Sequence, residues 1–334
     1  MSNHPIQRGR LLGSVRSQLP RPRGPLSTWC LERIAHNTDA PHPGVAGIDP
    51  LGADAQLALY LSYEVHYADP VFTWFDEWDP LLTELRVALE HSTELRLASM
   101  LPDRPAVAND PTRPASERLL ALIEADSSPS LSRAALRADL GQLREMVRQR
   151  SLYHLREADQ HMMAVSRLSG AAKQLFVEIQ AGEYGVDRPG FRMHSDLYAL
   201  TMRELDLDDS VNFYLDEANA ESLLLCNLIS LFTFNRRWAA AAVGHLASFE
   251  CTSVEPMQRY VDAFAAAGAS QDARRFYAVH ILADAHHETV AVKLVDALAA
   301  RQPERVDQLL FGVECALLVE AMFARAVLDG WSRS

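Results

Sequence analysis

The stretch "FYAVHILADAHHETVAV", residues 276–292, decides how the chain is read. Its apolar residues recur at helical spacing, and at about 100° per residue the offsets of four and seven bring His280, Asp284 and His287 to one side. Titratable groups on an apolar stripe are costly to bury unless something pairs with them. Imidazole nitrogen and carboxylate oxygen together suit iron, manganese or zinc. A short His-x3-Asp-x2-His pattern also arises by chance on solvated helix edges, so its meaning rests on partners elsewhere in the chain.

Two further segments offer such partners. "YHLREADQHMMAVSRLSG" (153–170) supplies Glu157, with His161 four residues later on the same expected helical face. "LFVEIQAGEYGVDRPGFRMHSDLYALTM" (175–202) supplies Glu183 at the end of one predicted helix and His194 at the start of the next. Carboxylates from other helices are what a bundle metal site needs, because metal ions among neutral imidazoles alone would be uncompensated in a dry core. Glu183 is otherwise badly placed, since a carboxylate in the last turn meets the negative end of the helix dipole. His245 and Glu250, on another predicted helix, are isolated signals, and such residues are more often satisfied core or surface groups than functional ones.

The remaining sequence frames these motifs in helices. Two are predicted around "PLGADAQLALYLSYEVHY" (50–67) and "WFDEWDPLLTELRVALEHSTELRLA" (74–98). Others follow at 116–126, 131–147, 149–163, 169–184, 193–205, 220–234, 236–267, 271–299 and 302–329, with Ser130 or Ser132 as N-cap of the second of these. No alternating strand pattern bounded by hairpin turns is found, and no internal repeat, so an all-α compact bundle forming one domain over 49–334 is expected. Residues 1–48, rich in proline and with five arginines and no acid in the first 31, read as a disordered leader.

With 334 residues, 48% of them hydrophobic and 23% charged, the chain has enough apolar material for a sizeable core. A net charge of −12 argues against nucleic acid as a partner. Cys30, Cys226, Cys251 and Cys315 lack metal-site spacing and fit a reducing cytoplasm. The absence of an uncharged apolar run of about 18 residues argues against a membrane span.

On "HLREAD" (154–159), "EIQAGEYGVDRPGFRMH" (178–194) and "HILADAHHE" (280–288), and more weakly on "LCNLISLFTFNRRWAAAAVGHLASFECTS" (225–253), the chain resembles the heme-oxygenase-like diiron oxidases and oxygenases, or iron-containing redox enzymes. The resemblance implies a heme-oxygenase-like helical bundle. It further implies two Fe(II)/Fe(III) ions held by Glu157, Glu183, His194, His280, Asp284 and His287, and O2 as co-substrate. The Glu183-to-His194 spacing is eleven residues, one more than the family pattern, with the extra residue in the "GVDRPGF" loop. The implied activity is oxidation of a small organic amine or amino acid, first of all N-oxygenation. The alternative is oxidative C–C cleavage or desaturation of a fatty or amino acid. A small-molecule substrate is the expected partner, with an external electron donor and a homodimer left open. Two rival classes share the scaffold: an iron-binding protein without turnover, and a cofactor-free thiaminase-like protein, which would need a nucleophilic cysteine with a base beside it.

Overall fold

The computed structural model describes residues 19–67, 75–186 and 192–333, and among them every regular element is a helix. The helices are α1 (Pro25–His36), α2 (Ala53–Glu64), α3 (Pro80–Ala98), α4 (Ala106–Asn109), α5 (Ala115–Ala125), α6 (Leu131–Ala135), α7 (Leu140–His154) and α8 (Asp159–Met162). They continue as α9 (Gly170–Glu183), α10 (His194–Glu204), α11 (Ala220–Phe234), α12 (Ala239–Thr252), α13 (Val254–Ala266), α14 (Arg275–Arg301) and α15 (Val306–Trp331). None is long and apolar enough to cross a membrane. The chain divides into two compact units, residues up to 100 with 215–227, and residues 101–214 with 228–334, where the sequence pattern leads one to expect one domain over 49–334.

In the first unit α1 and α2 pack together. Pro25 opens α1, where its missing N–H costs nothing, and Asp54 accepts hydrogen bonds from the Leu26 and Ser27 amides at 3.0 and 2.8 Å. Leu26, Cys30 and Ile34 are buried. The expectation of a disordered leader over 1–48 therefore fails at Pro25–His36, because an apolar face at helical spacing finds a partner; residues 1–18 lie outside the described residues.

The second unit is built on α14, which lies against α9, α10, α12 and α13. α12 also packs closely along α15. A Cβ at Gly244 would overlap the Leu309 carbonyl and one at Gly312 the Ala241 carbonyl, so small residues let these two backbones approach. Around this crossing Val243, Leu246, Leu309, Leu310 and Val313 form dry core.

Three predicted helices prove to be interrupted. The expected helix over 131–147 is α6 followed by a turn and then α7, whose start is fixed by a capping box: Asp139 accepts from the Gln142 amide at 2.9 Å and the Gln142 side chain accepts from the Asp139 amide at 3.1 Å. Ser130, not Ser132, caps α6. The expected helix over 149–163 breaks after His154, with Ala158 at φ 79°, so Glu157 sits in a turn and does not share a helical face with His161. The expected helix over 236–267 breaks at Ser253 into α12 and α13.

Candidate metal centre

The second unit brings seven acidic and histidine side chains into two overlapping groups, all of them buried. Glu157, Glu183, His194 and His280 offer ligand atoms within 4.8 Å of one another, and so do Glu183, Glu250, Asp284 and His287. Glu183 belongs to both. Its Oε2 lies 2.7 Å from His194 Nδ1, and its Oε1 lies 3.4 Å from His287 Nδ1, so the two oxygens of one carboxylate address different groups.

Each side chain is placed by a local feature of the chain. Glu183 ends α9, and the chain then turns back through a Schellman motif in which the Val186 amide donates to Ala181 O and the Gly185 amide to Gly182 O, at 3.0 and 2.9 Å. Gly185 has φ +66° and a Cβ there would come within 2.8 Å of the Arg192 backbone, so only glycine permits this reversal. The reversal accommodates the eleven-residue spacing and returns His194, the first residue of α10, to Glu183; residues 187–191 of the loop lie outside the described residues. Gly182 matters for a different reason. A Cβ on it would overlap the His287 ring, so its bare backbone lets α14 bring His287 against α9.

Glu157 is held differently. Ala158 is strained at positive φ, a conformation that non-glycine residues adopt at a cost of about 1–3 kcal/mol and that persists where the surroundings enforce it. The turn aims Glu157 at His280 Nε2, 3.5 Å from its Oε2, while Oε1 lies 3.2 Å from His154 Nδ1. The His154 ring packs in turn against Tyr198 and Phe276. Glu250, in the last turn of α12, reaches His287 Nδ1 at 3.3 Å, and Asp284 Oδ1 stands 3.6 Å from the same atom. Asp284 Oδ2 accepts a 2.5 Å hydrogen bond from the Ser253 hydroxyl, at the break between α12 and α13.

Hydrogen bonding leaves this cluster with unused ligand atoms. His280 Nδ1 lies 2.8 Å from the Phe276 carbonyl, which can only accept, so Nδ1 carries a proton and, in the neutral ring that a metal would select, Nε2 is the atom left with the lone pair. His280 Nε2, Glu157 Oε2 and His287 Nδ1 are buried with no hydrogen-bond partner. Buried polar atoms are rarely left in that condition, and three of them converging among carboxylates fit divalent metal. Iron accepts this mixture of imidazole and carboxylate.

Without metal, protons balance the charge instead. Burial works against the ionised Glu157 carboxyl, yet His154 and His280 outweigh it and hold it below the usual range. Glu183 is held well below that range by His194 and His287 against the same burial. Burial would depress His280 and His287, but the surrounding carboxylates raise both. Burial, together with the Asp284 and Glu183 charges, pushes Glu250 up to about 8 against the opposing pull of His287, so it holds a proton at neutral pH.

A cavity of about 280 Å³ adjoins the cluster. Glu157, Glu183, Glu250, His280 and Asp284 form part of its wall, and the rest includes the ion pair of Arg150 with Glu320, whose guanidinium donates to both carboxylate oxygens at 2.8 and 2.6 Å. His161, also in the wall, bonds to the buried His245 at 3.2 Å, ring nitrogen to ring nitrogen.

All six residues singled out from sequence thus converge, and the structure adds Glu250 and His154. Glu250 carries no sequence signal beyond being a glutamate on an apolar helix; its role depends on which residues α14 sets opposite it. Cys251, adjacent in sequence, does not line the cavity, and burial with Glu288 and Glu250 pushes its thiol up to about 12, so it offers the thiaminase-like rival no thiolate there.

No curated protein matches the chain. A heme-oxygenase-like family model, described as iron-containing redox enzyme, matches residues 144–321, more than half of the chain and a span that holds all seven converging residues. The chain belongs to the iron-containing redox enzyme family.

Proposed function

We propose that the protein is a non-heme diiron oxygenase that uses O2 to oxidise a small organic amine or amino acid. The observation that carries this reading is the position of Glu183, one carboxylate with an oxygen toward each of two buried ligand groups. In this assignment Glu157, His194 and His280 would hold one iron and Glu250, Asp284 and His287 the other, with Glu183 available to both. Bound iron would supply the site for O2 and the electrons that the side chains cannot.

The protein's own residues supply the rest. Phe276 O holds His280 in the tautomer that presents Nε2, and His154 and Ser253 orient Glu157 and Asp284. The four carboxylates, all buried, offset the metal charge. The cavity places the substrate beside Glu157, Glu183 and His280. N-oxygenation balances as amine plus O2 plus two electrons and two protons giving hydroxylamine and water, the electrons coming from an external reductant. Acidic groups facing the cavity suit an amine. The Arg150–Glu320 pair in its wall, able to receive a carboxylate and an ammonium together, also supports oxidative cleavage or desaturation of an amino acid as a second reading.

The test is anaerobic reconstitution with Fe(II), then mixing with O2 and a panel of primary amines and amino acids under single turnover. Faster O2 consumption with one substrate, and a hydroxylamine or cleaved product by mass spectrometry, is expected. Iron oxidation at a rate indifferent to every substrate would favour an iron-binding protein without turnover.

A further inference from the structure

Gln180 lies one turn before Glu183 on α9, so the two side chains share a face. It is only 1% exposed and lines the cavity, yet neither its Oε1 nor its Nε2 has a hydrogen-bond partner. A buried primary amide in that condition carries a desolvation penalty that methionine or leucine at the same place would avoid.

The other unpaired atoms in this wall, Glu157 Oε2 and His280 Nε2, belong to residues that would hold a metal. A neutral carboxamide competes poorly for iron beside carboxylates and imidazoles, so Gln180 needs a partner of another kind. We infer that Gln180 is a substrate-positioning residue, whose amide donates to and accepts from one polar group of the bound molecule and so fixes which atom faces Glu157 and His280. The complementary group presents a donor and an acceptor side by side, as a carboxamide does, or the ammonium and carboxylate of an α-amino acid. A site built to bond such a group also rejects isosteres that lack the donor, because the amide would then stay unpaired. This inference rests on the cavity being the substrate chamber, but not on the number of irons.

The experiment uses the full chain without metal, with propanamide and its near-isostere 2-butanone as probes, followed by ligand-observed NMR titration. The wild-type protein is expected to bind propanamide about tenfold more tightly than 2-butanone, and Gln180→Met to abolish that preference. The thermal midpoint of Gln180→Met should equal or exceed that of the wild type, since no internal bond is lost; Gln180→Leu repeats the test with a different shape. A wild type without the preference, a variant that retains it, or a midpoint several degrees lower in both variants would overturn the inference. Iron uptake, measured separately on the same proteins, should be equal in wild type and variants. Failure of uptake in all of them, with the propanamide preference intact, would remove the iron reading while leaving Gln180 in its role.

Discussion

The two ligand groups on either side of Glu183 are constructed differently. Around His280 every member is oriented by protein: the Phe276 carbonyl fixes the imidazole tautomer, His154 holds one oxygen of Glu157, and His194 sits on Glu183. Around His287 a single imidazole faces Glu183, Glu250 and Asp284, with the Ser253 hydroxyl supporting Asp284 and a proton on Glu250 in compensation. The first group sets two carboxylates against two imidazoles, and the second sets three carboxyl groups around one imidazole, one of them held neutral by a proton that a cation would displace. A shared carboxylate can thus join sites of unequal readiness, so the first iron should enter at His280 and the second bind more weakly at His287.

The largest effect that would break this comparison comes from removing one ligand on each side. His280→Ala should lose the tighter iron and Glu250→Ala only the weaker one, each keeping a wild-type helical circular dichroism spectrum. Anaerobic Fe(II) titration separates the two cases. If both variants lose the same iron, the division into two groups is wrong.

A smaller effect is expected from pH. His280 and His287 are raised in the folded protein, so the stability they lend to the metal-free form is fully present below their ordinary value near 6.5 and is lost as pH rises toward their folded values. Glu250 is raised as well, so deprotonation in the unfolded chain at lower pH than in the folded one also erodes stability between about 4.5 and about 8. The depressed Glu157 and Glu183 act the other way, with stability lost only as pH falls through their low folded values. The metal-free melting temperature should therefore decline from about pH 6.5 to about pH 9, while Fe(II) affinity rises as the displaced protons leave more readily. Calorimetry at several pH values checks the first trend and competition with a chelator the second.

The smallest effect is assigned to Ser253→Ala, which frees Asp284 Oδ2 without touching a ligand atom. Loss of such an orienting bond typically weakens metal affinity by about tenfold or somewhat more, and here only the weaker site should respond. An equal loss at both sites would show that Asp284 is not confined to the His287 group.

The fold and the site differ in how far the sequence discloses them. α14 is legible because His280, Asp284 and His287 interrupt an apolar period, and Glu183 because it contradicts the helix dipole. The break before α7 carries a readable signal in Asp139 and Gln142, the two ends of a capping box. The break that holds Glu157 carries none: "LREAD" has neither glycine nor proline, and an alanine at positive φ is imposed by packing, which local propensity cannot foresee. Glu250 and Gln180 share that opacity, since each acquires meaning only from what distant helices bring alongside, and His154 meets Glu157 through that same unsignalled break.

The central claim is that one carboxylate joins two irons, and Mössbauer spectroscopy of protein reconstituted with 57Fe(II) and oxidised under substrate-free O2 tests it most directly. Wild-type protein should take up two irons per chain and, once oxidised, give a diamagnetic, antiferromagnetically coupled pair. Glu183→Gln, which keeps the side chain's size and removes its charge, should hold at most one iron with no coupling. Two coupled irons in Glu183→Gln, or a wild-type protein that binds a single uncoupled iron, would contradict the account.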